Sequence, residues 1–237
     1  MSNIESMQKQ FLAVQNEMRS RLNCTDSFDK TKVSTIAGVD LAYWQSDDNI
    51  EQAVCCIVVI DFATHEIIEK KHFAGKIDVP YMPGFLAFRE LPLIIKTVEL
   101  LEHSPDIYMF DGNGYLHPRH MGIASHASFY LNSPTVGVAK TYYRVDKNLD
   151  YIEPENKTGS YTDIVFNSEI YGRVLRTQMN VKPVFVSTGN NISLDTATDI
   201  TISLVEKDSH IPISTRYADL ETHIERNKYR SEVLQIK

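Results

Sequence analysis

Cysteine is scarce in this chain. Cys24, Cys55 and Cys56 are odd in number and lack C-x-x-C spacing, which argues against both a disulfide framework and a cysteine-ligated zinc site. The adjacent pair lies in the Val/Ile-rich run Ala53–Ile60, so buried free thiols in a reducing compartment are expected. That run of eight residues, ending at Asp61, is also the longest apolar stretch, far short of the roughly 20 residues needed to cross a bilayer. No membrane span is expected. The N-terminus carries Glu5 and has no basic segment followed by an apolar one, so a signal peptide is not expected and a cytoplasmic location is. Positive charge is in deficit too: the formal net charge is −7, which argues against indiscriminate nucleic-acid binding, because phosphate contact rests on clustered Lys and Arg. Internal repeats, low-complexity tracts and linkers are lacking, and the 237 residues are read as a single domain, 1–237.

The distribution of charge says more than its sum. Between Asn113 and Val145 there is no Asp or Glu, while Arg119, Lys140, Arg144 and three histidines are present. A second acid-free stretch, Ile170 to Leu194, holds Arg173, Arg176 and Lys182. If the fold joins these stretches they make a local positive surface on an acidic protein; the competing explanation is chance spacing on a solvated face.

Hydrophobic periodicity gives the elements. Met7, Phe11, Val14, Met18 and Leu22 recur at spacings of three and four, which predicts an amphipathic N-terminal helix. Strands are predicted over Ile36–Trp44, Ala53–Phe62 and Ile67–Phe73, with short polar breaks suited to hairpins. A helix is predicted through Phe85, Phe88, Leu91, Ile94, Ile95, Val98 and Leu101, with Pro83 at a plausible first position and Pro92 expected to kink it or mark its start. Then come a strand at Ile107–Phe110, a helix near Met121–Leu131, strands at Thr135–Ala139, Asp163–Phe166, Gly172–Thr177 and Val184–Val186, and a final helix from Leu194 capped by Ser193. The polar Asp146–Gly159 stretch reads as a surface insertion. Antiparallel strands succeeded by alternating helices and strands predict an α/β fold with a central mixed β-sheet flanked by helices.

Three acids stand where the fold does not need one. Asp40 interrupts the apolar strand Ile36–Ala42, Asp111 ends the apolar strand Ile107–Phe110, and Glu90 lies early in a greasy helix. A buried carboxylate costs several kcal/mol, on the order given for buried ions, unless it is paired or bound to metal. Singly, each has a plain structural explanation: a turn at Asp111-Gly112, an edge strand at Asp40, a solvated helix face at Glu90. Together, carboxylates converging at strand ends would form a hard-oxygen site suited to Mg²⁺.

The segments AGVDLAYW (37–44), PYMPGFLAFRE (80–90), DGNGYLHPRHMGIASH (111–126), VGVAK (136–140) and VSTGNNISLDTA (186–197) resemble the endonuclease V family, in that family's order. The 111–126 block is the most specific. The resemblance implies a ribonuclease H-like fold and a repair endonuclease that recognises a deaminated purine, hypoxanthine (inosine), in nucleic acid. It implies hydrolysis of the second phosphodiester 3′ to the lesion, leaving 3′-hydroxyl and 5′-phosphate ends, with Mg²⁺ as cofactor and Mn²⁺ as its substitute. Inosine-containing DNA is the implied partner, RNA a further one, and no obligate protein partner is evident.

By the same resemblance Asp40, Glu90 and Asp111 are the metal-binding and catalytic acids, with Asp219 of the RYAD segment at the edge of the metal site. Lys140 is placed near the phosphate or its nucleophile, and His117 is a catalytic-site histidine able to donate to phosphate or water. Pro80, Tyr81, Met82 and Pro83 resemble the family's wedge, an aromatic ring on a proline-stiffened loop that fills the space of a rotated-out base; replaced stacking makes extrusion tolerable. Gly84, Leu86, Gly112, Ile123 and Gly137 would line the base pocket, where glycines let backbone groups approach a ligand edge. Hypoxanthine presents a carbonyl at position 6 and an N1–H, which backbone donors and acceptors can tell from adenine. Three rivals stand beside this: a ribonuclease H-like nickase of other specificity, an inosine-specific endoribonuclease, and a non-catalytic nucleic-acid-binding module on a nuclease scaffold. The wedge and glycine pocket disfavour the first, and the presence of all the acids and the lysine disfavours the last.

Overall fold

The structure, a computed structural model, describes residues 3–235. Its centre is an eight-stranded sheet in the order β3-β2-β1-β4-β5-β8-β7-β6. The strands are β1 (Thr35–Gln45), β2 (Glu51–Asp61), β3 (Ile67–Lys76), β4 (Ile107–Asp111), β5 (Thr135–Ala139), β6 (Tyr161–Phe166), β7 (Glu169–Leu175) and β8 (Val184–Asn190). β1, β4 and β5 run parallel, and every other neighbouring pair is antiparallel. The mixed sheet expected from the sequence is therefore present. Cys55 and Cys56 are buried in β2 as anticipated, whereas Cys24 is exposed.

Alternation along the strands sorts the core into two layers. Ile36, Ile107, Met109, Val136 and Val138 pack with Ala197, Ile200, Ile213 and Ala218, which belong to α4 (Leu194–Ser203) and α5 (Ile213–Gln235). Ala37, Val39, Tyr108 and Phe110 pack with Ala87, Leu91, Ile94, Ile123 and Ala127 of α2 (Leu86–Val98) and α3 (Ile123–Leu131). The first helix, α1 (Asn3–Arg19), lies outside α2, with Phe11 stacked on Phe88 at 3.9 Å between ring centroids. None of the helices among the described residues is long and apolar enough to cross a membrane.

Two expectations are corrected. The final helix is not one element but two, because the polar turn around Glu206–Ser209 breaks the pattern and Pro212 sets a new start at Ile213. Pro83 is not the first residue of α2: the left-handed backbone of Gly84 (φ 81°) separates it from the cap at Phe85, and the helix runs on through Pro92 to Val98.

α5 can rest on β1 because of Gly38. A Cβ there would lie 2.0 Å from the Ser214 carbonyl oxygen, so helix backbone and strand backbone touch where one side chain is missing. Gly38→Ala should therefore force the helix outward and cost about 1–3 kcal/mol, the usual penalty of overpacking. Chemical denaturation should show a lower midpoint with an unchanged slope; an unchanged midpoint would mean that α5 is not seated there.

Candidate active site

The contact at Gly38 fixes the relative height of the later residues of β1 and α5. From Gly38 to Asp40 the strand rises about 7 Å, and from Ser214 to Asp219 the helix rises about 7.5 Å. Both therefore deliver a carboxylate at about the same height. The parallel register Val39–Phe110 then places Asp111 on the strand beside Asp40, facing the same layer as Met109. β5 adds Lys140, two residues past Val138, which pairs with Asp111 and faces that same layer.

The result is a cluster in which Asp40, Asp111 and Asp219, all half-buried, offer carboxylate oxygens within 4.8 Å of one another. Lys140 Nζ reaches Asp111 Oδ2 at 2.6 Å and Asp219 Oδ1 at 3.8 Å. Thr222 Oγ1, one turn along α5, lies 3.4 Å from Asp40 Oδ2. Like charges this close repel by about 4 kcal/mol per pair at 4 Å and an effective dielectric of 20. One ammonium cannot neutralise three carboxylates. Burial, and then the charge of Asp111, push Asp40 from its ordinary 3.8 up to about 8. Asp111 is raised by burial, against the pull of Lys140. Burial alone would lower Lys140; its hydrogen bond to Asp111 and the charges of the three aspartates outweigh that and raise it. A half-buried set of oxygen donors short of positive charge fits a hard divalent cation such as Mg²⁺.

Glu90 is not in the cluster. It projects from α2 on the other layer, 8% exposed, and accepts a 2.5 Å hydrogen bond from Tyr43 Oη. Burial raises it to about 7, Tyr43 and Arg89 restrain the shift, and Asp111 is close enough to add repulsion. Next to it, Arg89 binds Glu51, stacks 4.7 Å over the Tyr43 ring and donates to the Val79 carbonyl at 2.8 Å, tying the acid to the loop that carries Tyr81.

On that same layer, one residue beyond Asp111, opens a cavity of about 130 Å³ lined by Tyr81, Gly84, Leu86, Gly112, Asn113, His117, Ile123 and Tyr143 among others. It is smaller than the roughly 300–1,000 Å³ of drug-sized ligand sites, room for one base. Tyr81 stands at its rim, 67% exposed, between exposed Pro80 and the buried anchor Met82. Pro83 is exposed, and it completes the loop.

Two residues fall elsewhere than expected. Gly137 does not line the cavity; a Cβ on it would lie 2.5 Å from Gly114 N, so its role is to let the 112–114 loop lie on β5. His117 is a wall of the cavity rather than a neighbour of the carboxylates. Its Nδ1 accepts from the Arg119 backbone N–H at 3.1 Å, its ring also hydrogen-bonds the Gly84 backbone, and it stacks on Tyr143 at 5.7 Å. Burial, then the Arg119 charge, lower it to about 3, so the imidazole is neutral and already engaged. The two acid-free stretches do adjoin through β5, β8 and β7, but Arg173 pairs with Asp163 and Asp195 and Arg176 with Glu153, so most of the anticipated positive surface is neutralised by acids from outside them.

Gln15 stands in none of the motifs of the sequence. Fully buried, it donates from Nε2 to the carbonyls of Gly84 (3.0 Å) and Met121 (3.4 Å) and accepts from Arg119 Nε at 2.6 Å. The cavity's two walls are thus joined through α1. The signal that could have found it is a polar residue at helical spacing from Phe11, Met18 and Leu22, inside the apolar stripe.

Residues 16–220 match the family model described as Endonuclease V. Endonuclease V of Bacillus thuringiensis subsp. konkukian is 55% identical over 220 residues, covering 93% of each chain. The crystal structure of endonuclease V from Bacillus subtilis superposes with a TM-score of 0.91 at 51% identity, over 95% of this chain and 94% of that one. A Ciona intestinalis endonuclease V crystallised with a 24mer DNA containing an inosine followed by a ribo-adenosine matches with a TM-score of 0.82 at 28% identity, over 95% of this chain and 99% of that one.

The raised Asp40 has a sign that can be checked. Its folded-state value lies above its unfolded one, so the metal-free fold loses stability as pH rises from about 4 through about 8. Asp40→Asn should melt higher than the parent in chelator, with an advantage at pH 8 exceeding that at pH 5 by roughly 2–4 °C, the shift about 1 kcal/mol gives in a domain of this size. An advantage that shrinks with pH would refute the electrostatic account. Gln15→Leu should cost about 1–3 kcal/mol by stranding buried polar partners; a variant as stable as the parent in urea would show the clamp to be idle.

Proposed function

The chain belongs to the endonuclease V family, and on that premise we propose that it is a DNA repair endonuclease acting on hypoxanthine in DNA. The bond cut is the second phosphodiester 3′ to the lesion, leaving 3′-hydroxyl and 5′-phosphate ends. The observation that carries this is the junction at Asp111 and Gly112: the acidic cluster lies on one side of that peptide and the base-sized cavity on the other.

Asp40, Asp111 and Asp219 would hold Mg²⁺, or Mn²⁺ in its place, with Glu90 behind them on the opposite layer. When bound, the ion supplies Lewis acidity at the phosphate and lowers the pKa of the attacking water. Lys140, freed from Asp111, would hold a non-bridging phosphate oxygen. Tyr81, exposed on its stiff loop, fills the stack from which the base has turned, which offsets the few kcal/mol of unstacking.

In the cavity, Gly84, Leu86, Gly112 and Ile123 leave backbone at the ligand's edge. α3 begins at Ile123 with Gly122 as its cap, and no side chain caps it. The Ala124 amide is taken by the Asn113 carbonyl at 3.1 Å, so the Ile123 amide at the cavity wall would be the donor for a carbonyl, where adenine would present an amine. His117, locked and neutral, acts here as a wall that orients the Gly84 carbonyl.

A second substrate, inosine-containing RNA, is favoured by one observation: the related Ciona protein was crystallised on a strand whose inosine is followed by a ribonucleotide. Matched deoxyinosine and riboinosine strands, incubated with Mg²⁺ and with chelator, test both. The expected result is metal-dependent cleavage one nucleotide beyond the lesion's 3′ neighbouring bond, with Asp40→Ala or Asp111→Ala slower by more than about 100-fold, beyond the roughly 10–100-fold typical of supporting residues. Absence of metal-dependent product from the parent on either strand defeats the proposal.

A further inference from the structure

Lys140 belongs to two places at once. Besides the carboxylate cluster, it lines a groove of about 670 Å³ at the end of β5 and the start of β8. The segment after β5 divides this groove from the base cavity: Tyr143 lines the cavity, while Lys140, Tyr142 and Arg144 line the groove. Phe185 makes its floor, with Tyr142 stacked on it at 5.4 Å and Tyr151 edge-on at 5.1 Å, and both tyrosines are half-buried.

The charges favour an anion. Glu153 is bound to Arg176 and Asp150 to Arg144, so each acid of the groove has a basic partner. Lys182, on the rim, is exposed and has no acidic partner among the described residues. The Arg144–Asp150 pair is itself exposed on both sides (57% and 64%) and so weakly held; a phosphate can take the place of Asp150.

We propose that this groove receives the single strand on the 3′ side of the cut, with Arg144 and Lys182 on successive phosphates and Tyr142 and Tyr151 beneath the bases. The polarity comes from the function proposed above, on which this inference rests: if the lesion lies 5′ to the scissile bond and fills the cavity, the strand leaving Lys140 in the other direction is the 3′ arm. A cationic rim over aromatic rings is the combination that holds single strands without reading sequence.

The test compares inosine strands that extend about three or about ten nucleotides beyond the lesion, the first shorter than, and the second within, the roughly 4–16 nucleotides that single-strand grooves cover. The parent should cleave the long-armed strand with kcat/KM about tenfold higher. Lys182→Glu with Arg144→Glu should abolish that gain, leave short-arm cleavage within about twofold of the parent, and reduce the salt slope by about one per cation removed. A parent indifferent to arm length, or a variant equally slowed on both strands, overturns the groove assignment while leaving the proposed activity standing. A parent that cuts neither strand overturns both.

Discussion

A helix can lie directly on a strand only where a side chain is missing, and Gly38 is that place. Because α5 backbone touches β1 at Gly38, its next turns are fixed in height, and Asp219 and Thr222 arrive over Asp40. The parallel pairing of β1 with β4 does the rest by bringing in Asp111. Three segments far apart in sequence thereby concentrate negative charge in a half-buried space. The fold tolerates this through Lys140 and through protonation of Asp40, and both responses mark a site built for more positive charge than the chain supplies.

The two layers of the sheet divide the labour. Residues of one parity along β1, β4 and β5 carry the carboxylates and the lysine, and the other parity opens onto α2, α3 and the base cavity. The carboxylate cluster and the cavity are separated by a single peptide unit at Asp111-Gly112, so under the proposed function a base held in one layer would set a nearby phosphate at the other without either site having to move. Glu90 bridges this division: it is held by Tyr43 on the recognition side while feeling the charge of Asp111.

Much of this was legible in the sequence, for a physical reason. Asp40 and Asp111 break apolar strands, and an acid in such a run must be compensated, so both stood out before any coordinates. The mixed sheet came from hairpin spacing and the later alternation of helices and strands. What the chain hid was register. No periodicity says that Val39 pairs with Phe110, or that Glu90 approaches from the opposite layer to Asp40. The family resemblance of its segment makes His117 a donor to phosphate or water; only the positions of Gly84 and Arg119 reveal that its ring is already hydrogen-bonded to both. Gly137 looked like a pocket glycine, yet the neighbour it makes room for is the chain's own loop. α5 was missed as a separate element because its mostly polar surface obscures the stripe that buries Ile213 and Ala218.

The clamp made by Gln15 ties the first helix to both sides of the cavity. Its partners lie 69 to 106 residues away along the chain, at Gly84, Arg119 and Met121. Each of these contacts closes a large loop against chain entropy, as does the pairing of β1 with β4, so helix, loop and cavity wall stand or fall together. A leading helix that lifts away would therefore release the Gly84 and Met121 carbonyls and Arg119 together, loosening both sides of the cavity in one movement.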